Sequence, residues 1–426
     1  METILVGAAL VLLALLGAPL FAVFGAVSML AFSSQGIDPS VIMVDLNRIA
    51  TNPTLVAIPL FTFAGYMLAE SKSPVRLVNL ARSIFGTIPG GLAVVTLVTS
   101  AMFTAFTGAS GVTIIALGGL LYPILLKENY PERFSLGLIT STGSLGLLFP
   151  PSLPIILYAM VSGISIDKLF AAGLVPGILL VGILTVYCVV RGRSFPLVRH
   201  PFAWATVRKA VREALWEIPL PIVVVVGIYT GLFTATEAAA VTAFYVLIVE
   251  VFVYKDLTLF TDVPRVMRDS MILVGAILMI IGVAMGLTNF LVDQEVPNRL
   301  FAMTREFISS PTMFLVVLNL FLIVVGMMMD IFSATMVVVP LIKPIAEAYG
   351  INPVHLGIIF LTNLEIGYLT PPVGLNLFIS SLRFQKPVFT VVRATLVYIG
   401  ILFVALLIIT YVPALSLWLV DALGVR

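Results

Sequence analysis

Gly146-Leu147-Leu148-Phe149-Pro150-Pro151-Ser152 and, 221 residues later, Gly367-Tyr368-Leu369-Thr370-Pro371-Pro372-Val373 interrupt two apolar runs with the same punctuation. Proline has no N–H and its ring clashes with the preceding turn, so each pair unwinds a helix in mid-run. The carbonyls freed by unwinding are tolerated inside a membrane only where protein or a cavity satisfies them. Each double proline also follows, by the same distance, a long apolar stretch broken near its middle by small or polar residues. In 91–123 the interruption is Thr107-Gly108-Ala109-Ser110-Gly111, and in 313–344 it is Asp330-Ile331-Phe332-Ser333. Such stretches suit a helical hairpin that enters the membrane and returns on the same side.

Working outward, a shift of 221 residues aligns the chain with itself without a gap across 55–163. Gly65 meets Gly286, Pro123 meets Pro344, Gly146 meets Gly367, and Pro150-Pro151 meets Pro371-Pro372. Those are five Gly/Pro coincidences where abundance alone predicts about one. The first copy (1–205) contains hairpin 91–123 and broken helix 134–163; the second (206–426) contains hairpin 313–344 and broken helix 355–382. One apolar helix (4–32) leads into the first copy and two (218–233 and 236–254) into the second, and the extra crossing inverts the second copy. The expected fold is an all-α polytopic membrane protein with inverted repeats, two re-entrant hairpins and two broken helices. Paired discontinuous helices in inverted repeats point to a transporter with its site near the bilayer midplane.

Composition agrees. Of 426 residues 60% are apolar and 10% charged, with a mean hydropathy of +1.16, whereas soluble chains carry roughly 25% charged residues. A net charge of +2 gives no footprint for nucleic acid. The single cysteine, Cys188, excludes an internal disulfide, and two distant histidines, His200 and His355, argue against a transition-metal site. His355, near a helix start, is expected at the interface. Further spans are expected at 55–70, 170–190, 271–290 and 392–412. Ile4 to Phe32 follows an acid, Glu2, and is too long for a signal-peptide core, so it reads as a retained helix. If the six basic residues from Arg191 to Arg212 are cytoplasmic, counting crossings places 17 of the 23 Lys and Arg inside. The N-terminus is then cytoplasmic and the C-terminus external, with the first hairpin opening inward and the second outward.

The broken elements define candidate sites. Freed carbonyls and helix C-termini suit a cation, and helix N-termini suit an anion. Site one combines Ser110, Gly111 and Thr113 of the first hairpin tip with Ser144, Pro150 and Ser152 of the first break. Site two combines Asp330 and Ser333 with Thr370 and Gly374. All offer oxygen ligands, which favour a hard cation over a transition metal. Gly108, Thr335 and Asn376 are candidates beside the substrate. An acid in mid-membrane costs roughly 2.5–3.5 kcal/mol and demands a partner, so Asp330 is the sharpest candidate, with a bound cation as that partner. Glu365 is either a proton or cation group or a hydrogen-bonding member of the bundle. Glu237, in the Thr234-Ala235-Thr236-Glu237 turn, is expected to cap the following helix. An intramembrane enzyme would need facing acids, a Ser/His pair or metal ligands, and no histidine or cysteine accompanies these acids.

These residues carry a resemblance. Thr107-Gly108-Ala109-Ser110-Gly111, Gly146 to Ser152, Gly326-Met327-Met328-Met329-Asp330, Gly231 to Ala239, and above all Asn363 to Asn376 resemble the large membrane subunit of TRAP (tripartite ATP-independent periplasmic) transporters. The likeness covers essentially the whole chain. It implies Na+ as coupling ion and an elevator, in which a domain carrying hairpins and broken helices slides against a fixed scaffold. It also implies a small four-helix membrane subunit, a periplasmic substrate-binding protein and a location in the cell inner membrane, with no organic cofactor. Substrates in the family are small organic acids of the dicarboxylate, sialic acid and keto-acid classes. Val112 stands where the family often has a second serine, which weakens the side-chain contribution to site one. The alternative is a stand-alone sodium- or proton-coupled organic anion symporter of similar architecture.

Overall fold

The computed structural model describes residues 20–51, 53–197 and 203–424, and its regular elements are all helices. The expected first span is therefore described only from Leu20, and Arg199, His200 and the chain end at Arg426 lie outside the described residues. The chain opens with α1 (Leu20–Ser34) and a short α2 (Val41–Ala50). A 3₁₀ turn, Pro53–Val56, then leads into α3 (Ala57–Glu70), followed by amphipathic α4 (Ser73–Phe85).

The first hairpin is α5 (Gly91–Thr107) and α6 (Ser110–Lys127). Gly108 ends α5 at φ +63°, a left-handed conformation that glycine adopts without a Cβ penalty. The first broken helix is α7 (Glu132–Thr142), a 3₁₀ turn Leu145–Leu148, and α8 (Leu153–Ser162), with its two halves bent by 45°. The long α9 (Ile166–Gly192) completes this half. After α10 (Trp204–Glu213), α11 (Pro219–Tyr229) and α12 (Ala235–Val253), the order recurs. It runs through α13 (Asp262–Asp293), α14 (Val296–Phe307), hairpin α15 (Pro311–Met328) and α16 (Ile331–Ala348). Broken helix α17 (Pro353–Gly367) and α18 (Leu375–Phe384), α19 (Val388–Tyr411) and a terminal α20 (Ala414–Leu423) follow. Shifted by 221 residues, Ser110–Lys127 falls on Ile331–Ala348, end on end.

The glycines shared by the two copies are places where backbones touch. A Cβ on Gly146 would collide with the Ala101 carbonyl oxygen, and one on Gly367 would sit 2.5 Å from the backbone of Gly326. Each broken helix thus crosses the ascending arm of its own hairpin at a distance no side chain permits. Packing sorts the helices into two groups. In one, α13 lies against α1, α2 and α3, and α12 packs on α3 and α11. In the other, the hairpins and broken helices pack on one another and on α9 and α19, with α8 of the first copy against α16 of the second. The groups meet where α3 and α4 touch α5 and where α13 touches α16.

Arg76 on α4 anchors the first group. Its guanidinium meets Glu217 at 2.5 Å, Asp256 at 2.5 Å and Glu250 at 3.0 Å, over the Tyr254 ring. Burial pushes the Glu217 carboxyl up to about 7 against the opposing pull of Arg76. Glu237 closes a capping box with Thr234 at the start of α12, as its position suggests. His355 is buried within the protein in the first turn of α17, with Nδ1 3.1 Å from Ser416 Oγ and Nε2 3.2 Å from the Thr410 carbonyl. The terminal helix α20 covers it.

Candidate functional site

The first hairpin tip is held by short residues. Gly65 of α3 brings its backbone so close that a Cβ there would lie 2.6 Å from the Phe106 carbonyl oxygen. Thr104 Oγ1 lies 2.7 Å from Thr113 Oγ1 across the hairpin and donates to the Gly143 carbonyl at 2.9 Å, tying both arms to the first break. A Cβ on Gly108 would collide with Leu153, so the tip rests beside Ser152. Ser110, Thr113, Ser144 and Ser152 are all buried in this region. Pro150 sits differently: with Phe149, Met102 and Val225 it lines a separate apolar cavity of about 270 Å³.

Oxygens without partners mark this tip. Thr107 Oγ1, Ser141 Oγ, Ser152 Oγ and Asn376 Oδ1 are buried and have no hydrogen-bond partner among the described residues. Leaving such a group unsatisfied costs about 1–3 kcal/mol each, so their accumulation beside one break fits a cation that takes hydroxyl and amide oxygens as ligands. Asn376 joins the copies, since its Nδ2 reaches the Thr140 carbonyl and Ser144 Oγ, both at 3.4 Å.

The second tip is closed by its own acid. Asp330 is the N-cap of α16: Oδ1 accepts from the backbone N–H of Phe332 (2.9 Å) and Ser333 (3.0 Å), and Oδ2 from Ser333 Oγ at 2.5 Å. Its partners are therefore the helix terminus as well as any ion, which the sequence argument for a cation alone did not foresee. Two backbone bonds tie this tip to the second break. Gly374 N–H donates to the Met327 carbonyl at 3.1 Å, and Ile331 N–H donates to the Tyr368 hydroxyl at 2.6 Å. Thr370, in the break itself, donates from Oγ1 to the Ile366 carbonyl in the last turn of α17 at 2.9 Å. Thr335 does likewise with Ile331, at 2.6 Å. Glu365 is 1% exposed, and neither of its oxygens has a hydrogen bond among the described residues, so the hydrogen-bonding role in the bundle is not what the structure shows.

Both tips open into one cavity of about 450 Å³. Gly108, Ser110, Gly111 and Val112 line it from the first hairpin and Asp330, Ile331 and Phe332 from the second. Tyr66 of α3 and Leu273, Ile277 and Ile280 of α13 face them from the other group of helices. Thr335 and Asn376 are buried and do not line it, while Gly108 does. Tyr66 and Tyr368 were missed in the sequence; a phenol in an apolar run needs a partner, and that signal lay inside the Asn363–Asn376 motif for Tyr368.

A cavity between two groups of helices, walled on one side by opposed hairpin tips and broken helices, defines a membrane transport protein of the inverted-repeat class. The chain is similar in fold to the YdaH transporter of Alcanivorax borkumensis, with a TM-score of 0.61 at 13% identity, covering 90% of this chain and 88% of that one. Residues 6–415 match the family described as tripartite ATP-independent periplasmic transporter, DctM component, and the chain belongs to that family. It is 38% identical over 402 residues to the C4-dicarboxylate TRAP transporter large permease protein DctM of Pseudomonas aeruginosa, covering 94% of this chain and 93% of that protein. It is 30% identical over 425 residues to the ectoine TRAP transporter large permease protein TeaC of Halomonas elongata, covering 99% of each.

Proposed function

We propose that this chain is the membrane pathway of a sodium-coupled importer of a small organic acid, of the dicarboxylate, sialic acid or keto-acid class. A periplasmic binding protein delivers the substrate, and a separate small four-helix subunit completes the complex in the inner membrane. The observation that carries the reading is the single cavity shared by both hairpin tips, with unsatisfied buried oxygens beside the first and a carboxylate at the second. Sodium would be held at site one by Ser110, Thr113, Ser144 and Ser152 with the Thr107 and Asn376 oxygens, and at site two by Asp330, Ser333 and the Thr370–Gly374 backbone. The hairpins and broken helices would slide as one body against α3, α12 and α13, the elevator that alternates access. The basic asymmetry supports a cytoplasmic N-terminus and a periplasmic C-terminus.

The test is uptake into vesicles reconstituted with the small subunit and a binding protein, using candidate acids and imposed gradients. Uptake should require inward sodium and respond to membrane potential when more cation than substrate charge moves. Each net charge contributes roughly 2.3 kcal/mol at 100 mV, nearly fiftyfold in accumulation. Uptake unchanged without sodium would exclude this coupling. Orientation has its own check: a cysteine beside Lys127 should label from the cytoplasm only, and one beside Asp293 from the periplasm only.

A further inference from the structure

The helix α10 follows the candidate span α9, which ends at Gly192, and precedes the short apolar helix α11, which begins at Pro219. Four of its ten residues are charged, which keeps it out of the hydrocarbon. It packs on α4, with Ala210 buried and Val207 and Val211 half-buried. Trp204, Arg208 and Arg212 follow at intervals of four and share the opposite, exposed face. Between α4 and α10 is a cleft of about 390 Å³ with polar walls that include Asn79, Ser83, Thr206, Lys209 and the acid Glu213. Arg208 and Arg212 rim an adjoining hollow of about 410 Å³. Lys209 pairs with Glu213 at 3.8 Å, whereas Arg208 and Arg212 enter no ion pair among the described residues.

Large apolar side chains are exposed beside these charges. Trp204 is 76% exposed, Leu215 52% and Trp216 45%, with Ile84 of α4 46% exposed nearby in the same platform. Water is a poor solvent for two exposed indoles, and a purely hydrophobic partner is a poor one for two arginines outside any ion pair among the described residues. The headgroup layer of a membrane accepts both, since tryptophan favours the interfacial depth and basic side chains reach up to phosphates. The Arg76 cluster ties α4 to Glu217 ahead of α11, to Glu250 in α12 and to Asp256 beyond it.

We infer that the α4–α10 platform is a binding surface for the phosphate headgroup of an anionic phospholipid. The cleft receives the headgroup, Arg208 and Arg212 supply the counter-charge beside the Lys209–Glu213 pair, and Trp204 and Trp216 sit at the boundary with the acyl chains. The lipid thereby braces the fixed group of helices at the membrane surface.

The chain has three tryptophans, so Trp418→Phe leaves Trp204 and Trp216, both on this platform, as the indoles excited selectively over tyrosine. The protein is reconstituted in vesicles in which a fixed mole fraction of phosphatidylglycerol, or instead of phosphatidylcholine, carries bromine on its acyl chains. Brominated phosphatidylglycerol should quench the more strongly, equivalent to a local enrichment of about threefold or more. Combining Arg208→Gln, Lys209→Gln and Arg212→Gln should bring that ratio close to one while quenching by phosphatidylcholine persists, which also shows that the variant is folded and inserted. Arg299→Gln on α14 should leave the ratio unchanged, as should inorganic phosphate added against chloride at equal ionic strength. Equal quenching by the two lipids in the parent, no quenching by either, or a ratio the triple variant retains would overturn the assignment. So would a ratio that falls equally with Arg299→Gln, or one abolished by inorganic phosphate, which would point to a soluble anion.

Discussion

The two hairpin tips occupy equivalent positions in the two copies, yet their polar groups are used in opposite ways. At the first, Gly108 and Ala109 leave the start of α6 without a side-chain cap, and buried oxygens of Thr107, Ser141, Ser152 and Asn376 stay unpaired nearby. At the second, Asp330 caps α16 with one carboxylate oxygen and holds Ser333 with the other. One tip thus concentrates neutral dipoles that lack partners, and the other a full charge whose partners are largely internal. A repeat can keep where the backbone breaks without keeping how the break is solvated. A neutral site responds to the loss of any one ligand by a little; a charged site responds sharply to the loss of one group.

The largest effect expected is at the glycine contacts that hold the tips. Gly146→Ala and Gly367→Ala each place a methyl inside backbone atoms of the neighbouring hairpin arm, and both should lose folded protein, with a penalty of about 3 kcal/mol or more. Gly65 and Gly286, the other matched pair, should separate. A Cβ on Gly65 would lie 2.6 Å from the Phe106 carbonyl oxygen, whereas one on Gly286 first meets the Ile42 side chain at 3.1 Å. Gly65→Ala should therefore abolish uptake or thermal stability in detergent and Gly286→Ala should leave both near the parent values. Equal behaviour of the two would mean that the close approach of Gly65 to Phe106 is not what holds the first tip.

A smaller effect is expected at the first tip. Ser152→Ala removes an unpaired buried hydroxyl, which in a purely structural role should raise stability slightly. As a sodium ligand its loss should lower apparent sodium affinity about threefold, read from uptake against sodium concentration at matched expression. Thr370→Ala at the second tip should do less still, because it removes one neutral oxygen from a site whose full charge comes from Asp330.

The broken helices and hairpins were legible in the sequence because prolines, glycines and a lone acid inside apolar runs have few other uses. The element bounds follow closely: the expected 91–123 is Gly91–Thr107 with Ser110–Lys127, and 313–344 is Pro311–Met328 with Ile331–Ala348. The surface helices α2, α4, α10 and α14 escaped notice because their charged residues, spaced for one wet face, interrupt hydropathy without leaving an apolar run to count. Contacts between copies were equally hidden. Asn376 reaches Thr140 and Ser144 across more than half the chain, and His355 is buried by a helix that follows it by some sixty residues. Spacing within one element carries no information about either. Thr370 shows a further contact that spacing does not give, a hydroxyl three residues past the end of α17 that donates back to the Ile366 carbonyl.

The central claim is that the second tip holds the charged half of a sodium site, and Asp330→Asn tests it most directly. Asparagine caps helices about as well as aspartate, so α16 should stay in place while the charge is removed. Sodium dependence of uptake, measured for parent and variant at equal membrane expression, should shift to at least about tenfold higher sodium. That shift corresponds to about 1.4 kcal/mol for a charge-assisted contact. A sodium curve identical to the parent's would contradict the claim and leave Asp330 as a helix cap alone.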